Sequence, residues 1–537
     1  MAIVARRLLD RVDVDAEKAL KIAYFVQWED LELSKAYWKL GIQLGISDDF
    51  VSIALKLGYQ FGLDEEVSTL FARMNQLGRK GKGGIQMATM EDLIRFATQQ
   101  REHSEKLSQI YHNGTAPIHL ITSQSNLSLV ELYHLFPQRN ETAPDPIRQN
   151  PILIRHGGRR LPREFLATAS KARVCMDITA VLLAMHLDII DEVERTFHQV
   201  SIPSDTIPAL IRMREKVSHH QPKRLEAYKQ LVDLVEAELV ETIEPLRFTE
   251  HQEMILRNEV SDDWLALFEH ARSNSGFLVD YLPLRRSDLI GHVASLPDYV
   301  NEHLVDCHSI AKSLRQNGPL SELEYIDALK LLGDQESGTH EVVIPSQGCL
   351  LVFHGNIPEV LANANLLVTT CDRFKVAIEK SELETAKAEI EGQKQRVALA
   401  NWLGVLIDKI SKGINEERYK VLPKSLSKVG VSKEPAFDSP AFDCFQTLLQ
   451  FSPKENDVIW SDDRYFNSFP RRDNIPIIGI NEVLNWLIQE KTIRIDDYYD
   501  KVLRLRAANA RYIPVERDEI LYHLKQAVVK NEKVVET

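Results

Sequence analysis

The chain has 537 residues, of which 44% are hydrophobic and 27% are charged, and these fractions are ordinary for a globular protein of several domains. Its formal net charge of −13 argues against a general nucleic-acid coat protein, although a local basic patch could still bind phosphate groups. Five scattered cysteines without a Cys-x-x-Cys pair indicate reduced thiols, so we expect a cytoplasmic protein. The first fifteen residues predict no signal peptide, and the absence of a long apolar run predicts no membrane partner.

Residues 1–111 are predicted to form a helical-hairpin domain of the tetratricopeptide kind. Apolar residues recur there at helical spacing, with short breaks at Gly, Asp and Ser. The stretches "KLGIQLGI" (39–46) and "KLGYQFGL" (56–63) echo each other, and both carry glycines where a helix would end. A protein partner, if there is one, is expected on this domain.

From residue 112 the pattern changes to alternating strands and helices. The run "APIHLIT" (116–122) predicts a strand, and residues 172–205 predict a strand, a helix and a second strand. The first of these strands, "ARVCMDI", is apolar on both faces, as in a parallel sheet covered by helices, and Asp177 stands at its carboxyl end. Because ligands bind outside the carboxyl ends of such strands, Asp177 is either a site residue or the cap of the following helix.

A second acidic strand end lies far along the chain, in "DVIWSDDRYF" (457–466). Asp462 and Asp463 follow a short apolar run, and their mutual repulsion must be offset by solvent, a basic neighbour or a divalent cation. We predict that segments 112–250 and 441–525 share one parallel sheet, because neither has enough strands for a sheet of its own. The carboxylates of both strand ends would then lie close enough to share a cation or a bridging water.

The region between these segments, residues 251–440, is predicted to be a mostly helical insert with a β-hairpin near 341–353. Residues 526–537 are predicted to be a polar tail. Within the insert, Asp280 lies in the apolar run "GFLVDYLPL", where a lone carboxylate would be costly. It either supplies a further metal ligand or pairs with Arg285 or Arg286.

The order of the two acidic strand ends resembles that of PIN-domain nucleases, in which an early strand ends in Asp-x-[Ser/Thr] and a late strand ends in an Asp-containing turn. Residues 172–205 are similar to the opening of such a domain, and residues 441–525 to its closing. The resemblance implies an α/β fold with a large helical component, in which a three-layer α/β/α domain is interrupted by the insert. The chain also resembles large bacterial proteins that combine helical repeats, a Gre-factor-like segment and a PIN domain.

The resemblance implies a metal-dependent nuclease, most readily a ribonuclease, that acts on RNA or other single-stranded nucleic acid. Mg²⁺ or Mn²⁺ would be held by Asp177, Asp462 and Asp463, which would be the catalytic residues. The helix after the "Ile-Pro" strand has Ala209 near the position where the family carries another acid, so Asp205 is a further candidate ligand beside Asp280. Because the acid is missing at this position, an alternative stays open, namely a catalytically inactive PIN-like scaffold or regulatory binding module.

Arginines next to the two strand ends are candidates for the substrate phosphates, because a guanidinium can bind a phosphate with two hydrogen bonds. They are Arg159, Arg464, Arg471 and Arg472. Arg464 has an alternative role, which is to neutralise Asp462 and Asp463. A phosphatase of the haloacid-dehalogenase type is excluded, because it needs an acid two positions after its nucleophilic Asp, where this chain has Thr179.

Overall fold

The structure is a computed structural model that includes side chains, and its contacts divide the chain into two units. Unit 1 consists of Met1–Asp92 and His219–Arg396, and unit 2 of Leu93–Ser218 and Val397–Thr537. The residues that the structure describes are 5–6, 14–27, 29–82, 90–125, 127–143, 149–155, 169–217, 222–244, 259–284, 293–294, 296–333, 344–424, 439–527, 529–530 and 533–534.

Helices precede, separate and follow the strands. The α-helices are α1 Ala16–Val26, α2 Leu31–Leu44, α3 Val51–Gln60, α4 Asp64–Lys80, α5 Met90–Asn113, α6 Ile118–Gln124, α7 Phe136–Thr142, α8 Ile178–His186, α9 Ile190–Thr196, α10 Thr206–Lys216, α11 Pro222–Glu236, α12 Asp262–Ser273, α13 Asp298–Asn301, α14 Cys307–Gln316, α15 Glu322–Leu332, α16 Ile357–Asn363, α17 Leu367–Arg373, α18 Lys380–Asn415, α19 Pro440–Gln450, α20 Ile480–Gln489, α21 Ile495–Ala507 and α22 Arg517–Gln526. A π-helical turn, Glu131–Leu135, leads directly into α7.

The strands are short and nearly all belong to two parallel sheets. They are β1 Arg173–Met176, β2 Gln199–Pro203, β3 Val240–Ile243, β4 Phe277–Val279, β5 Leu304–Val305, β6 Leu350–Phe353, β7 Lys375–Glu379, β8 Tyr419–Leu422, β9 Asp457–Trp460, β10 Arg471–Arg472, β11 Ile475–Ile478, β12 Val529–Lys530 and β13 Lys533–Val534. The sequence prediction of an α/β fold with a large helical component and N-terminal helices is confirmed.

The sheet of unit 2 has the order β10-β11-β9-β1-β2-β8. All its pairs are parallel except β10 with β11. Strands from both predicted segments therefore lie in one sheet, with Met176 of β1 beside Trp460 of β9. The sheet also contains β8, which comes from the region that we predicted to be an insert.

The sheet of unit 1 has the order β3-β7-β6-β4-β5, and all its pairs are parallel. Its central strand β6 is buried on both faces, since successive side chains point to opposite sides of the sheet and both sides are covered. Leu351 and Phe353 of β6 join one apolar cluster, whereas Val352 between them joins another. The described part of the insert contains more helix than strand, and its strands β4, β5, β6 and β7 form this parallel sheet together with β3.

The two sheets are built from two copies of the same order of elements. Strand, helix, helix, strand and helix follow one another in β1-α8-α9-β2-α10 and again in β6-α16-α17-β7-α18. The first copy continues with β3, β4 and β5, and the second with β8, β9 and β11. Each sheet combines the first two strands of one copy with the last three of the other, and corresponding strands occupy the same places in both sheets. The copies have therefore exchanged halves within one chain.

Several predicted boundaries and elements are wrong. Leu350–Phe353 pairs in parallel with both of its neighbours, so among the described residues near 341–353 there is no hairpin; residues 341–343 lie outside the described ranges. The predicted boundary at residue 111 falls inside α5, a continuous helix of 24 residues. The tail contains two short antiparallel strands, β12 and β13.

The predicted strand at 116–122 is a helix, Ile118–Gln124, which follows Pro117 at its N-cap position. A short apolar run fits a strand and a buried helix equally well, and here tertiary packing decides between them. Ile118, His119, Ile121 and Thr122 are all buried. This correction matters because the helix packs against the acidic strand ends described below.

The echoed glycines of the N-terminal helices have two different roles. Gly45 and Gly62 have φ of +82° and +71° and follow helix ends, as the sequence predicts. Gly58 lies inside α3, where a Cβ would be 2.2 Å from Val67 Cγ1 and 2.8 Å from Trp38 Cζ2. The glycine at that position therefore allows close packing between helices rather than a turn.

Candidate functional site

The candidate site lies at the carboxyl ends of the two central strands of unit 2. Asp177 follows β1, and Asp462 and Asp463 follow β9 after Ser461. The two strands are parallel neighbours, so their carboxyl ends meet at one edge of the sheet. From β1 the chain continues to β2 on one side of this point, and from β9 it continues to β11 on the other side. Such a reversal of strand order forms the crevice in which open α/β sheets bind ligands. We call these three carboxylates the acidic cluster.

Asp177 combines the two roles that the sequence left open. It is the N-cap of α8, because its side chain accepts a hydrogen bond from the backbone N–H of Thr179. The same Oδ2 accepts hydrogen bonds from the hydroxyls of Thr179 at 2.5 Å and Ser461 at 3.1 Å. Its Oδ1 lies 3.0 Å from Nε2 of His119. The carboxylate is fully buried and bonded through both oxygens.

Asp462 and Asp463 are held mainly by backbone and ring N–H groups. Asp462 accepts hydrogen bonds from the backbone N–H of Ile480 at 2.7 Å and from Nε1 of Trp460 at 2.8 Å. Asp463 accepts from the backbone N–H groups of Tyr465 at 3.1 Å and Ile118 at 3.3 Å. Both carboxylates are buried, and each uses both oxygens in contacts inside the protein.

His119 on α6 lies between the two strand ends. Its Nε2 contacts Asp177, and its Nδ1 lies 3.8 Å from Oδ2 of Asp463. The ring is fully buried and stacks on Phe445, with 5.2 Å between the ring centroids. Nδ1 has no hydrogen-bond partner among the described residues. The imidazole thus takes the place of the cation that would offset the repulsion between the carboxylates.

The pKa values of the cluster residues reflect two opposing effects, burial and the contacts described above. Burial raises the pKa of Asp462 to about 7 and the pKa of Asp463 to about 6. Burial would also raise the pKa of Asp177, but His119, Thr179 and Ser461 lower it below its usual value. Burial lowers the pKa of His119, whereas Asp177 and Asp463 together raise it by more, so the net shift is upward. The charges of the buried cluster are therefore stabilised by the imidazole and by hydrogen bonds rather than by solvent.

Two further predicted ligands do not join the cluster. Asp205 is half-buried at the end of β2, where it accepts a hydrogen bond from the hydroxyl of Ser204 at 3.2 Å. Asp280 belongs to unit 1, at the end of β4. It accepts hydrogen bonds from Trp264 Nε1 at 2.8 Å and from its own neighbour Tyr281 N at 2.7 Å, and it lies 2.9 Å from His354 Nδ1. The predicted partners Arg285 and Arg286 lie outside the described residues.

The crevice of unit 1 differs chemically from that of unit 2. His354 follows β6, where the corresponding strand of unit 2 is followed by Asp177. Asp280 follows β4 and holds the imidazole of His354 through Nδ1, which raises the pKa of the histidine against the opposing effect of burial. Glu382 also interacts with this imidazole: burial raises the pKa of Glu382 to about 7, and His354 opposes that shift.

The predicted phosphate-binding arginines have mainly structural contacts. Arg464 donates to the carbonyl of His112 and lies over the ring of Tyr512, 4.8 Å from its centroid. Arg472 donates to two backbone carbonyls, those of Leu448 and Phe451, at 2.7 Å each. Arg471 is exposed on β10, and Arg159 lies outside the described residues.

A different basic surface lies beside the acidic cluster, around a pocket of about 210 Å³. The pocket is lined by Arg212 and Lys216 of α10 and by the hydroxyl-bearing residues Thr122, Ser123, Ser128 and Ser439. Its described lining includes no carboxylate. Arg212 and Lys216 are exposed, and Thr122 and Ser123 belong to the same helix as His119. We call this cavity the basic pocket.

Sequence reasoning did not identify His119, Trp460 or Tyr133, whose hydroxyl donates to the backbone carbonyl of Asp462 at 2.7 Å. His119 carried a usable signal, since an ionisable residue inside the apolar run "APIHLIT" needs a partner when it is buried. Thr179 and Ser461 were visible in the motifs, but their hydrogen bonds across the strand ends depend on the pairing of β1 with β9. Among the described residues, no group of three or more His, Cys, Asp or Glu side chains is placed so that it could hold a metal ion.

The chain was compared with protein families, curated proteins and solved structures. Residues 90–159 match a family model described as HTH_upstream_double_PIN. No curated protein and no solved structure matches the chain. The matched segment includes α6, and hence His119. In the part of the chain that the structure describes, no helix is both long and apolar enough to cross a membrane.

Proposed function

We propose that this chain is a PIN-type nuclease, most readily a ribonuclease, whose catalytic centre is the acidic cluster of unit 2. The observation that carries the proposal is the convergence of Asp177, Asp462 and Asp463 at the crevice between β1 and β9. The family match supports it, because the model's description names a double PIN and the chain contains two α/β units of the same strand order. In this proposal unit 2 is the nuclease, and unit 1 has a structural or regulatory role.

Mg²⁺ or Mn²⁺ is the proposed cofactor, because three carboxylates are the hard oxygen ligands that these cations prefer. The chemistry of the donors fits, but their placement in this conformation does not. His119 lies between Asp177 and Asp463, and both oxygens of Asp462 accept hydrogen bonds from the protein. A cation between Asp177 and Asp463 would therefore require the withdrawal of His119, and Asp462 would stay bonded to Ile480 and Trp460, so the conformation described here supports no metal-dependent step.

Single-stranded RNA is the proposed substrate, and the basic pocket is its proposed contact. Two cations and several hydroxyls line this pocket, and α6 forms part of its wall. Cationic side chains supply most of the sequence-independent affinity for a nucleic-acid backbone. The pocket adds two cations to the arginines for which we predicted a role in phosphate binding, Arg159, Arg464, Arg471 and Arg472.

The alternative function is an inactive PIN-like scaffold, and one observation favours it. The three carboxylates are buried and satisfied by internal partners, as in a structural core. Such a protein would bind RNA or a protein partner without cleaving RNA.

The test is cleavage of a 5′-labelled single-stranded RNA by the purified protein in the presence of Mn²⁺. The proposal expects cleavage that is lost in Asp177→Asn, which removes a charge at nearly constant shape, and kept in Asp500→Asn, which changes an exposed carboxylate on α21. Unchanged cleavage in Asp177→Asn would contradict the assignment of the catalytic centre. Absence of cleavage by the wild type and by the opened variant described below would favour the scaffold.

A further inference from the structure

We propose that α6 is a self-inhibitory plug whose histidine occupies the cation position of the acidic cluster, so that docking of the helix and binding of a divalent cation exclude each other. This inference concerns regulation and rests on the metal-dependent centre proposed above. It follows from the disagreement between a donor set that suits a cation and a conformation that has no space for one.

The position of the imidazole is the first observation. His119 contacts Asp177 through one ring nitrogen at 3.0 Å and approaches Asp463 with the other at 3.8 Å. These carboxylates come from different strand ends, and a shared cation would have to lie between them. The ring fills that space, and its face is covered by Phe445.

The second observation is that the segment from Ile118 to Tyr133, upstream of β1, supplies contacts to Asp463 and to the backbone of Asp462. The backbone N–H of Ile118 donates to Asp463, and Tyr133 donates to the backbone carbonyl of Asp462. This segment precedes β1 in the chain and contributes no strand to the sheet of unit 2. It can therefore withdraw without breaking a strand pair, whereas the ligands themselves are fixed by β1 and β9.

The third observation is that the docked state is incompletely satisfied. Nδ1 of His119 is buried and has no hydrogen-bond partner among the described residues. A buried polar atom that lacks a partner costs free energy, and withdrawal of α6 would remove that cost. The docked helix is thus opposed by a local penalty, as expected of an element that can be displaced.

Mutual exclusion has a reciprocal consequence. If the cation binds only when His119 has left the cluster, cation binding must increase the fraction of molecules in which α6 is undocked. Conversely, a change that weakens the contact of α6 with the cluster must increase the affinity for the cation by the same coupling free energy. The effect is measurable as Mn²⁺ affinity and as amide hydrogen exchange in α6, neither of which depends on catalysis.

The experiment compares wild-type protein with His119→Ala and with His198→Ala, which changes an exposed histidine of unit 2 directly before β2. Mn²⁺ binding is followed by electron paramagnetic resonance, and exchange of residues 118–124 by mass spectrometry. We expect His119→Ala to bind Mn²⁺ at least tenfold more tightly than wild type and His198→Ala to bind it as wild type does. In wild type, saturating Mn²⁺ should accelerate exchange in α6, and Asp177→Asn should abolish that acceleration.

The outcomes separate this inference from the proposed function. Equal Mn²⁺ affinity of wild type and His119→Ala, or Mn²⁺ binding without faster exchange in α6, would overturn the plug. Tight Mn²⁺ binding by His119→Ala without RNA cleavage would support the plug and refute the nuclease. If His119→Ala does not fold, the exchange measurement on wild type and Asp177→Asn still decides the question.

Discussion

The backbone N–H of Asp462 donates a 3.1 Å hydrogen bond to the hydroxyl oxygen of Thr179, a residue 283 positions earlier in the chain. The same hydroxyl donates to Asp177, so a single side chain connects the two strand ends of the acidic cluster. This bridge exists because β1 and β9 are in register, and it makes Thr179 a sensitive probe of the cluster.

Thr179→Val should destabilise the protein, because it keeps the shape of the side chain and removes the hydroxyl. The N–H of Asp462 would lose its acceptor and Asp177 would lose a donor, at a cost of about 2–3 kcal/mol in the free energy of unfolding. Thr179→Ser keeps the hydroxyl and should cost only about 1 kcal/mol for the lost methyl group. Urea denaturation followed by circular dichroism measures both, and equal losses would contradict the bridging role.

Titration of Asp462 and Asp463 should lower the stability as the pH rises from about 5 to about 7, whereas His134 and His186, whose pKa values are lowered by burial, oppose this slope below the ~6.5 of an unfolded chain. Asp462 and Asp463 have pKa values of about 7 and about 6 in the folded protein, well above the ~3.9 of an unfolded chain. Between these values only the folded state binds the proton, so each group contributes a negative slope of up to about 1.4 kcal/mol per pH unit. His119 acts in the same direction, since its raised pKa gives stability that is lost as the pH rises through the folded value. Asp177 has a lowered pKa, so its contribution to stability is lost only when the pH falls through that folded-state value.

Urea denaturation at a series of pH values checks this slope. Asp463→Asn removes one of the titrating groups, and its profile should be flatter by about one proton between pH 5 and 6. A slope between pH 5 and 6 that is the same in Asp463→Asn as in wild type would contradict the titration of Asp463.

Asp280→Asn should lower the pKa of His354 without changing Mn²⁺ binding at unit 2. The carboxylate of Asp280 lies 2.9 Å from Nδ1 of His354 and stabilises the protonated ring. Nuclear magnetic resonance titration of the imidazole measures the shift, with Asp372→Asn, an exposed carboxylate of the same unit, as the matched control. Altered Mn²⁺ affinity in Asp280→Asn would instead restore this residue as a ligand of the acidic cluster.

Arg212→Ala combined with Lys216→Ala should weaken binding of single-stranded RNA and reduce its salt dependence. Two lost phosphate contacts correspond to a decrease of roughly 1.4 in the slope of log K against log salt. Arg517→Ala removes an exposed cation of α22 that does not line the basic pocket, and it should leave binding unchanged. Fluorescence anisotropy at several salt concentrations provides the measurement, and an equal effect of both changes would indicate only non-specific attraction.

Cleavage of the chain between α15 and β6 should not separate the two fragments. Each sheet contains strands from both sides of such a cut, β3, β4 and β5 with β6 and β7 in unit 1, and β1 and β2 with β8, β9 and β11 in unit 2. A protease site inserted after Gly333 tests this by size-exclusion chromatography of the cut protein. The fragments should co-elute in buffer and separate only in denaturant, and separation in buffer would contradict the exchange of halves.

Short-range sequence patterns are sufficient to place the local elements of the acidic cluster. Apolar runs buried on both faces mark β1 and β9, and the polar residues that end them place Asp177, Asp462 and Asp463 at the carboxyl ends. Their meeting at one edge followed from counting strands, because too few were available in either segment alone. These inferences succeed because strand ends and parallel pairing depend on short-range patterns and on simple geometry.

Tertiary structure alone decided the rest. The run around His119 fits a strand or a helix, and only packing against Phe445 and the strand ends selects the helix and buries the imidazole among carboxylates. The exchange of halves was also hidden, since both copies have the same order of elements and the apolar pattern of β8 or β3 suits either sheet. Which copy pairs with which depends on contacts between residues far apart in the chain, and local hydrophobic patterns carry no information about that choice.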